Sequence, residues 1–576
     1  MRTRWWAITT AATLVLLLAS AAQAAGPWYV DPTGTNDGSH GTATGAGAFK
    51  TIQYAIDDGR VGTGDTINVA AGTYAEQVAI TKSLTLLGAG AATTLISSAA
   101  AGSVVGIAAD NAAVSGFTID GADTAASYGI RSNGYDYAAI RNCTVTDVSC
   151  GISFSSTAIN GVIENVTITT NIKEAHGIYL ASGANHNTIS GTNTITTYGE
   201  KAYGIGLNAS SYNTISGNNT ITTNHTKEAH GIRLQSNSNY NTISGDNRIT
   251  TKSSDGAGAH GVFFDSSSNN TISGDNVITT AGPNAHGIYI YKASSTGGGT
   301  SGNNTISGDN TITTNGSGSF GILLKTTGTG ANVLCNTNTI SGDNVITTNG
   351  IGANGIGFHS SSWNTVSGTN TIITKGRDSF GIALSSLVAT LGSSNNAFSN
   401  LNIQTTGDYA YGIYLGGSSN NTFTGTDTIS TTGLGAYGMH FEKSLDATLS
   451  SDANTFSGTD IATTNADAYG IYLVESSHNT FSGTNRITTN GSGAFGIILE
   501  GSAYNGFSGA DITTTNYGGY GIVFGWLSHE NTLSGTNTIK TSGQLGYGIV
   551  LGWDSNSLVS CEMSMERGGD SHARRA

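Results

Sequence analysis

Gly177-Ile178-Tyr179-Leu180, a polar corner, Asn187-Thr188-Ile189-Ser190-Gly191 and then Thr194-Ile195-Thr196-Thr197 form a phrase that recurs to the end of the chain, with a period of roughly 26 residues or slightly more. Its Gly-Ile/Val/Met step stands at Gly129, Gly151, Gly177, Gly204, Gly231, Gly261 and Gly287, and continues through Gly321, Gly355, Gly381, Gly412, Gly438, Gly470, Gly496, Gly521 and Gly548. Its Asn-Thr-Ile-Ser-Gly step, sometimes blurred, begins at Asn187, Asn213, Asn241, Asn270, Asn304, Asn338 and Asn364 and runs on to Asn556. A fixed period in this range signals a stack of supersecondary units, none of which buries its apolar face alone.

Each phrase holds three short runs of β-branched or aliphatic residues alternating with Ser and Thr, bounded by Gly, Asn, Asp and Ser, which read as three brief strands. No part of the repeat carries helical periodicity long enough for a crossover helix. Each strand must therefore pair in parallel with its counterpart in the next repeat. The fold class expected is all-β, a single-stranded right-handed parallel β-helix. Ile178, Leu180, Ile189 and Ile195 would point inward, each worth about 1.5–3 kcal/mol when buried. Stacked ~4.8 Å apart, some 18 or 19 coils would make a rod of about 90 Å.

Residues 1–24 carry Arg2 and Arg4, an apolar run through Leu14 to Leu18, and Ala22-Gln23-Ala24, the pattern of a cleaved secretory leader. The chain is expected to be exported to the periplasm, the cell surface or the medium. No other stretch approaches the ~20 apolar residues of a membrane helix, so no integral membrane span is expected. Charged residues make up only 10% of the chain and the formal net charge is −14, which argues against nucleic acid as a partner, because phosphate binding needs a basic face. The scarcity of Pro, three in all, suits a chain in which nearly every strand position donates to a ladder. Of the four cysteines, Cys143 and Cys150 are the one near pair that an exported protein would oxidise; Cys335 and Cys561 stand single.

Residues 25–48 read as an irregular lead-in, rich in Gly, Thr and Ser. Phe49, Ile52, Ala55 and Ile56 then share one face of a short helix that ends near Asp57-Asp58-Gly59 and would cap the stack. The β-helix is expected over 49–560, and 561–576 reads as a disordered tail.

The phrase FKTIQYAIDDG at 49–59, followed by DTINVAAGTYAEQVAITKSLTLLGAG at 65–90, resembles the N-terminal cap and first coil of the pectin-lyase-like superfamily. That fold is shared by pectinesterases, polysaccharide lyases, periplasmic NosD-type copper-related proteins and bacterial surface proteins. The Asn-rich phrase resembles its generic β-helix repeat. The resemblance implies the fold and leaves the activity open. Gly72, Tyr74 and Glu76 match a G-x-Y-x-E phrase of pectinesterases, but their later motifs are absent and Glu76 is expected to be structural. Paired carboxylates in the Gly-His-Gly setting of a polygalacturonase are missing too. No catalytic residue is identified.

Spacing carries more information. From each Asn step to the next Gly-Ile step the distance is 16 to 18 residues, with a single 20 between Asn241 and Gly261. From Gly-Ile to the following Asn it is normally 8 to 10, but 17 after Gly287, 17 after Gly321, 15 after Gly381 and 16 after Gly438. The four insertions, 292–303, 325–337, 384–395 and 442–453, should therefore leave the rod at one corner, where Lys292 and Lys325 open two of them. Loops gathered on one edge of a repeat scaffold often bind. Trp526 and Trp553 fall five residues after Gly521 and Gly548 and would stack as a sugar platform or a cover for the end of the rod.

Three columns run along the repeats. The residue before Gly-Ile is a ring in most coils, and His230, His260 and His286 fall on consecutive coils, a candidate metal set. Tyr and Phe in the same column elsewhere suit stacking instead. Asn187, Asn213, Asn241, Asn270, Asn304, Asn338 and Asn364 suit an internal ladder, because Asn tolerates a left-handed backbone and its amide both donates and accepts. Asp246, Asp275, Asp309 and Asp343 lie on successive turns, where Ca²⁺ is the one cofactor to consider against ordinary turn residues. The function expected is an exported scaffold that binds carbohydrate or a cell-surface ligand. The alternatives are a polysaccharide lyase or glycoside hydrolase, and a periplasmic NosD-like metal-related protein.

Overall fold

The computed structural model describes residues 27–122, 126–225, 227–254, 256, 258–292, 301–328, 335–388, 390–552, 558–567 and 574–575. The leader therefore lies outside the described residues. Each full coil carries three strands, as His176–Ala181, Thr188–Ser190 and Thr192–Thr197 illustrate. The first belongs to a front sheet, and the other two to a back sheet that wraps round the remaining sides. Register is strict and parallel: Ile178 lies opposite Ile205, Ile189 opposite Ile215, and Ile195 opposite Ile221. The fold is the right-handed parallel β-helix that the repeat predicts. Alternation turns Ile178, Leu180, Ile189 and Ile195 into the bore, where all four are fully buried.

The invariant glycine of the Gly-Ile step is a matter of room. A Cβ on Gly177 would stand 2.3 Å from Ile195 Cγ2 and 2.6 Å from the Gly204 carbonyl oxygen of the next coil. The glycine of the Ser-Gly turn answers a second demand. Gly217 has φ +80°, and a Cβ there would sit 2.1 Å from the Gly191 carbonyl oxygen.

Two amide ladders pin the coils inside. In the first, the side-chain oxygen of Asn213 accepts from Asn187 N, that of Asn241 from Asn213 N and that of Asn270 from Asn241 N, each at 2.8 Å. The series continues to Asn531. The second ladder has no counterpart among the sequence expectations: Asn193, Asn219, Asn247, Asn276, Asn310, Asn344 and Asn370 pass Nδ2–H to Oδ1 at 2.7–2.8 Å. A third column caps a turn, as when the Thr197 hydroxyl donates to the Ala202 carbonyl at 2.9 Å.

The N-terminal end is closed by a helix, Ile52–Asp57, that buries Ile52, Ala55 and Ile56. Glu76 caps it: its two carboxylate oxygens accept Ile52 N and Gln53 N at 2.9 Å each, satisfying amides that a helix start leaves free. The G-x-Y-x-E phrase is thus part of the cap. The lead-in departs from expectation, because Trp28–Val30 forms a strand parallel to Thr66–Val69. Trp28 and Val30 turn inward and Trp28 Nε1 donates to Asp65 at 2.8 Å, which fixes this strand as an extra rung below the first coil. At the other end a strand runs into 561–576, the segment read from the sequence as a disordered tail. Leu558–Arg567 pairs in parallel with Thr532–Thr541, whose open edge offers it a template. Cys143 and Cys150 do not form a disulfide; both are buried free thiols, as is Cys335. No helix among the described residues is long and apolar enough to cross a membrane.

Candidate binding face

Residues of the front strands that alternation turns outward form columns along the rod. Just ahead of these strands, at the residue before each Gly-Ile step, runs the ring column, whose His230, His260 and His286 are buried. His230 and His260 stack at 4.9 Å with planes 5° apart, and His260 and His286 at 4.9 Å and 3°. Each Nδ1 accepts a backbone N–H of the next coil: His260 N to His230 at 3.0 Å, His286 N to His260 at 3.1 Å, and Phe320 N to His286 at 3.0 Å. Burial, and then neighbouring cationic charge, hold these imidazoles well below their usual pKa, so they are neutral. Asn354 takes the same bond with its side-chain oxygen, from Phe380 N at 2.7 Å. The column is thus a stack of acceptors and rings, continued by Tyr411, Tyr437 and Tyr469 at 4.8 Å spacing.

Beside it run two columns that change residue at almost every coil. One reads Tyr179, Gly206, Arg233, Phe263, Tyr289 and Leu323, and later Tyr414, His440 and Tyr472. The other reads Gln235, Asp265, Tyr291, Lys325 and His359, with Glu442 and Glu500 further on. Arg233 lies between the rings of Tyr203 and Phe263, at 5.1 and 5.2 Å from their centroids. It donates to the Tyr203 hydroxyl, and to Asp265 at 3.1 Å. The hydroxyls of Tyr414 and Tyr472 donate to Glu442 and Glu500 at 2.7 Å each. His440 is enclosed by Tyr411, Tyr437 and Tyr472, and neither of its nitrogens finds a hydrogen-bond partner. Lys325 apart, the residues of these columns escape a search for repetition, since their signal is its absence at the third and fifth positions of the Gly-Ile phrase.

The other expected sites are placed as follows. Asp246, Asp275 and Asp309 each accept the backbone N–H of the next aspartate, at 3.4, 3.3 and 3.0 Å, and Asp343 accepts Thr369 N at 2.9 Å. One backbone hydrogen bond thus ties each of these turns to the next coil. Asn187, Asn213, Asn241, Asn270, Asn304, Asn338 and Asn364 form the first ladder. Trp526 is 68% exposed, while Trp553 lies outside the described residues. Lys292 is buried, its ammonium donating to Ser266 Oγ at 3.3 Å, whereas Lys325 reaches the outer face. The insertions leave the rod directly after front strands, and where they are described they expose apolar tips, Leu387 and Leu445.

Among solved structures the chain is similar to the A-module of an Azotobacter vinelandii mannuronan C-5 epimerase, at 14% identity over 71% of this chain and 90% of that one, with a TM-score of 0.35. A GH87 alpha-1,3-glucanase catalytic domain in complex with nigerose matches at 15% identity over 75% and 65% of the two chains, with a TM-score of 0.31. Carrot pectin methylesterase matches at 16% over 44% and 85%, with a TM-score of 0.24. No curated protein matches the chain.

A family model described as periplasmic copper-binding protein (NosD) matches residues 62–245 and 336–560. The described residues do not fit copper. His230, His260 and His286 spend Nδ1 on the backbone and stack at 4.9 Å with their planes nearly parallel, wider than the ~4.2 Å that two ligands set ~2.0–2.1 Å from one ion can span. Burial pushes the thiols of Cys143, Cys150 and Cys335 up to about 11, 12 and 12, away from the thiolate a metal takes. No group of three His, Cys, Asp or Glu among the described residues is arranged to hold an ion. The family model nonetheless spans most of the rod, on both sides of the two longest insertions, and the chain belongs to the NosD family.

Proposed function

We propose that this protein is an exported β-helix scaffold, released from its leader after Ala24, that binds an extended polar ligand along the outer face of its front sheet. Carbohydrate is the ligand class that suits the face. The observation that carries this reading is the pair of outward columns in which Tyr179, Tyr289, Tyr291, Tyr414 and Tyr472 are interspersed with charged, small and apolar residues, on a rod otherwise built from near-identical rungs. A tyrosine offers a sugar an apolar ring and a hydroxyl together, and the flat rigid sheet holds it without loss of freedom on binding. The description of the family as periplasmic agrees with export.

A glycan array probed with the mature chain, followed by reducing-sugar and unsaturated-product assays on each hit, tests the reading. Retention of one or more glycans without release of product is the expected result. Turnover of a bound glycan would replace the scaffold by an enzyme, and failure to retain any glycan would remove carbohydrate as the ligand.

A further inference from the structure

Lys325 is the fifth residue of the Gly-Ile phrase in the coil of Ile322–Thr326, with Tyr291 opposite on the coil below and His359 on the coil above. Its setting differs from that of four other basic residues on the rod, each of which faces a carboxylate. Lys173, Lys201 and Lys443 face Glu200, Glu228 and Glu475 at 3.8, 3.7 and 2.9 Å, and Arg233 meets Asp265. No carboxylate pairs with Lys325 among the described residues, although burial strips part of its water and by itself lowers its pKa. The nearest acid of its own column, Asp265, lies two coils below, roughly 9.6 Å away, and is engaged by Arg233. A partly desolvated ammonium without a counter-charge is costly, and an anion in contact with it recovers that cost.

His359 adds the second half. Its ring meets Phe320 edge-on at 5.2 Å, and its Nδ1 is buried without a hydrogen-bond partner. Burial, and then the charge of Lys325, hold the imidazole neutral with a pKa of about 4, so it presents one N–H and one lone pair. His286, the ring across the coil, also feels Lys325 and is neutral. On the other side the Tyr291 hydroxyl is 3.2 Å from Thr327 Oγ1. A cation and an unmatched imidazole thus stand side by side on a protein whose net charge is −14.

We propose that Lys325 and His359 form an oxyanion subsite, which takes a carboxylate or sulfate group of the ligand lying along the front face. The proposal rests on the reading of that face as the binding face and adds the charge of what it recognises. With a screening length of ~8 Å in physiological salt, the acidic remainder of the rod does not mask a cation in direct contact with its anion.

The test immobilises three polymers with one backbone, dextran, dextran sulfate and carboxymethyl-dextran, and measures retention of the full chain and of Lys325→Met, His359→Phe and Lys443→Met. The unsubstituted chain should bind at least one anionic polymer and bind dextran weakly. Lys325→Met should weaken that binding tenfold or more with an unchanged melting temperature, His359→Phe should weaken it less, and Lys443→Met should leave it unaltered. The polymer preferred tells sulfate from carboxylate. Equal retention by Lys325→Met and the unsubstituted chain would overturn the subsite, as would an equal loss for Lys443→Met. Should the chain hold a neutral glycan through the front face and neither anionic polymer, the subsite falls and the binding face stands. If front-face tyrosine substitutions leave retention of every glycan unchanged, the binding face itself falls.

Discussion

The inside and the outside of the front half of the rod obey different rules. Inside, the first amide ladder keeps Asn from Asn187 to Asn531 through every change of insertion length, because each side chain feeds the backbone of its neighbour. Outside, a few ångströms away, the column that begins at Tyr179 passes through Gly, Arg, Phe, Tyr and Leu within five coils. Where a residue is needed by the coil above and the coil below, the repeat fixes it. Where only solvent or a ligand meets it, the repeat leaves it free. The second ladder lies between these extremes: it is regular from Asn193 to Asn370, then breaks at Leu401, Asp427 and Thr459, and resumes at Asn485.

That break gives the largest expected effect. Asp427 is fully buried; its Oδ1 accepts Leu401 N at 2.8 Å, while its Oδ2 and the neighbouring Thr459 hydroxyl have no partner. Burial holds its carboxyl up at about 6. Between pH 4 and pH 6 the native state therefore binds the proton more tightly than the unfolded chain. Stability from this group is complete below pH 4 and is lost as pH rises through 6, by about 3 kcal/mol in all. Asp427→Asn should stabilise the rod by that amount at pH 7 and by almost nothing at pH 4, in urea titrations at the two pH values. The same gain at both would show that charge is not the cause.

Breaking the unbroken ladder should cost slightly less. Asn241 accepts from Asn213 N and donates to the carbonyls of Ser210 and Asn239 and to Asn270 Oδ1. Asn241→Ala should lose about 1–3 kcal/mol, whereas Gln404→Ala on an exposed strand position should stay within about 0.5 kcal/mol. Equal losses would mean that the column is not a ladder. A smaller gain is expected at His440, which tyrosines enclose and whose nitrogens make no hydrogen bond, Nε2 standing 3.9 Å from a Glu442 carboxylate oxygen. His440→Phe should raise stability by about 1 kcal/mol, because an apolar ring leaves no buried polar atom unsatisfied; destabilisation would show that the contact with Glu442 outweighs that cost. The smallest effect belongs to the aspartate column. Millimolar Ca²⁺ should leave the melting temperature unchanged, since Asp246, Asp275, Asp309 and Asp343 already accept amide hydrogens, and a clear rise would show binding to the native state.

Repetition made the fold legible. The spacing of Gly177, Ile178, Leu180, Asn187 and Ile189 is enough to infer three strands, inward aliphatics and one ladder, because each demand recurs in every coil. The second ladder, regular from Asn193 to Asn370, sits in the Gly-Thr-Asn and Gly-Asp-Asn turns, where Asn is an ordinary turn residue and its inward aim leaves no mark on the pattern. The strand at Trp28–Val30 was hidden because it occurs once, amid Gly and Thr. The candidate site was the least legible part. His230, His260 and His286 looked like ligands by spacing, but only coordinates reveal that their Nδ1 atoms serve the backbone. Arg233, Asp265, Lys325 and His359 carry no motif at all, since what sets them apart is the presence or absence of a partner on the next coil.

The account turns on which side of the rod meets a ligand, and hydroxyl-radical footprinting with a retained glycan addresses that directly. Two sets of tyrosine and tryptophan side chains serve as reporters: Tyr179, Tyr289, Tyr291, Tyr414 and Tyr472 on the front face, and the exposed Tyr212, Tyr240 and Trp363 at the corner before the first ladder. Protection of the front set with the corner set unchanged is the result the account predicts. Protection of Tyr212, Tyr240 and Trp363, with the front tyrosines oxidised as in the free protein, would contradict it.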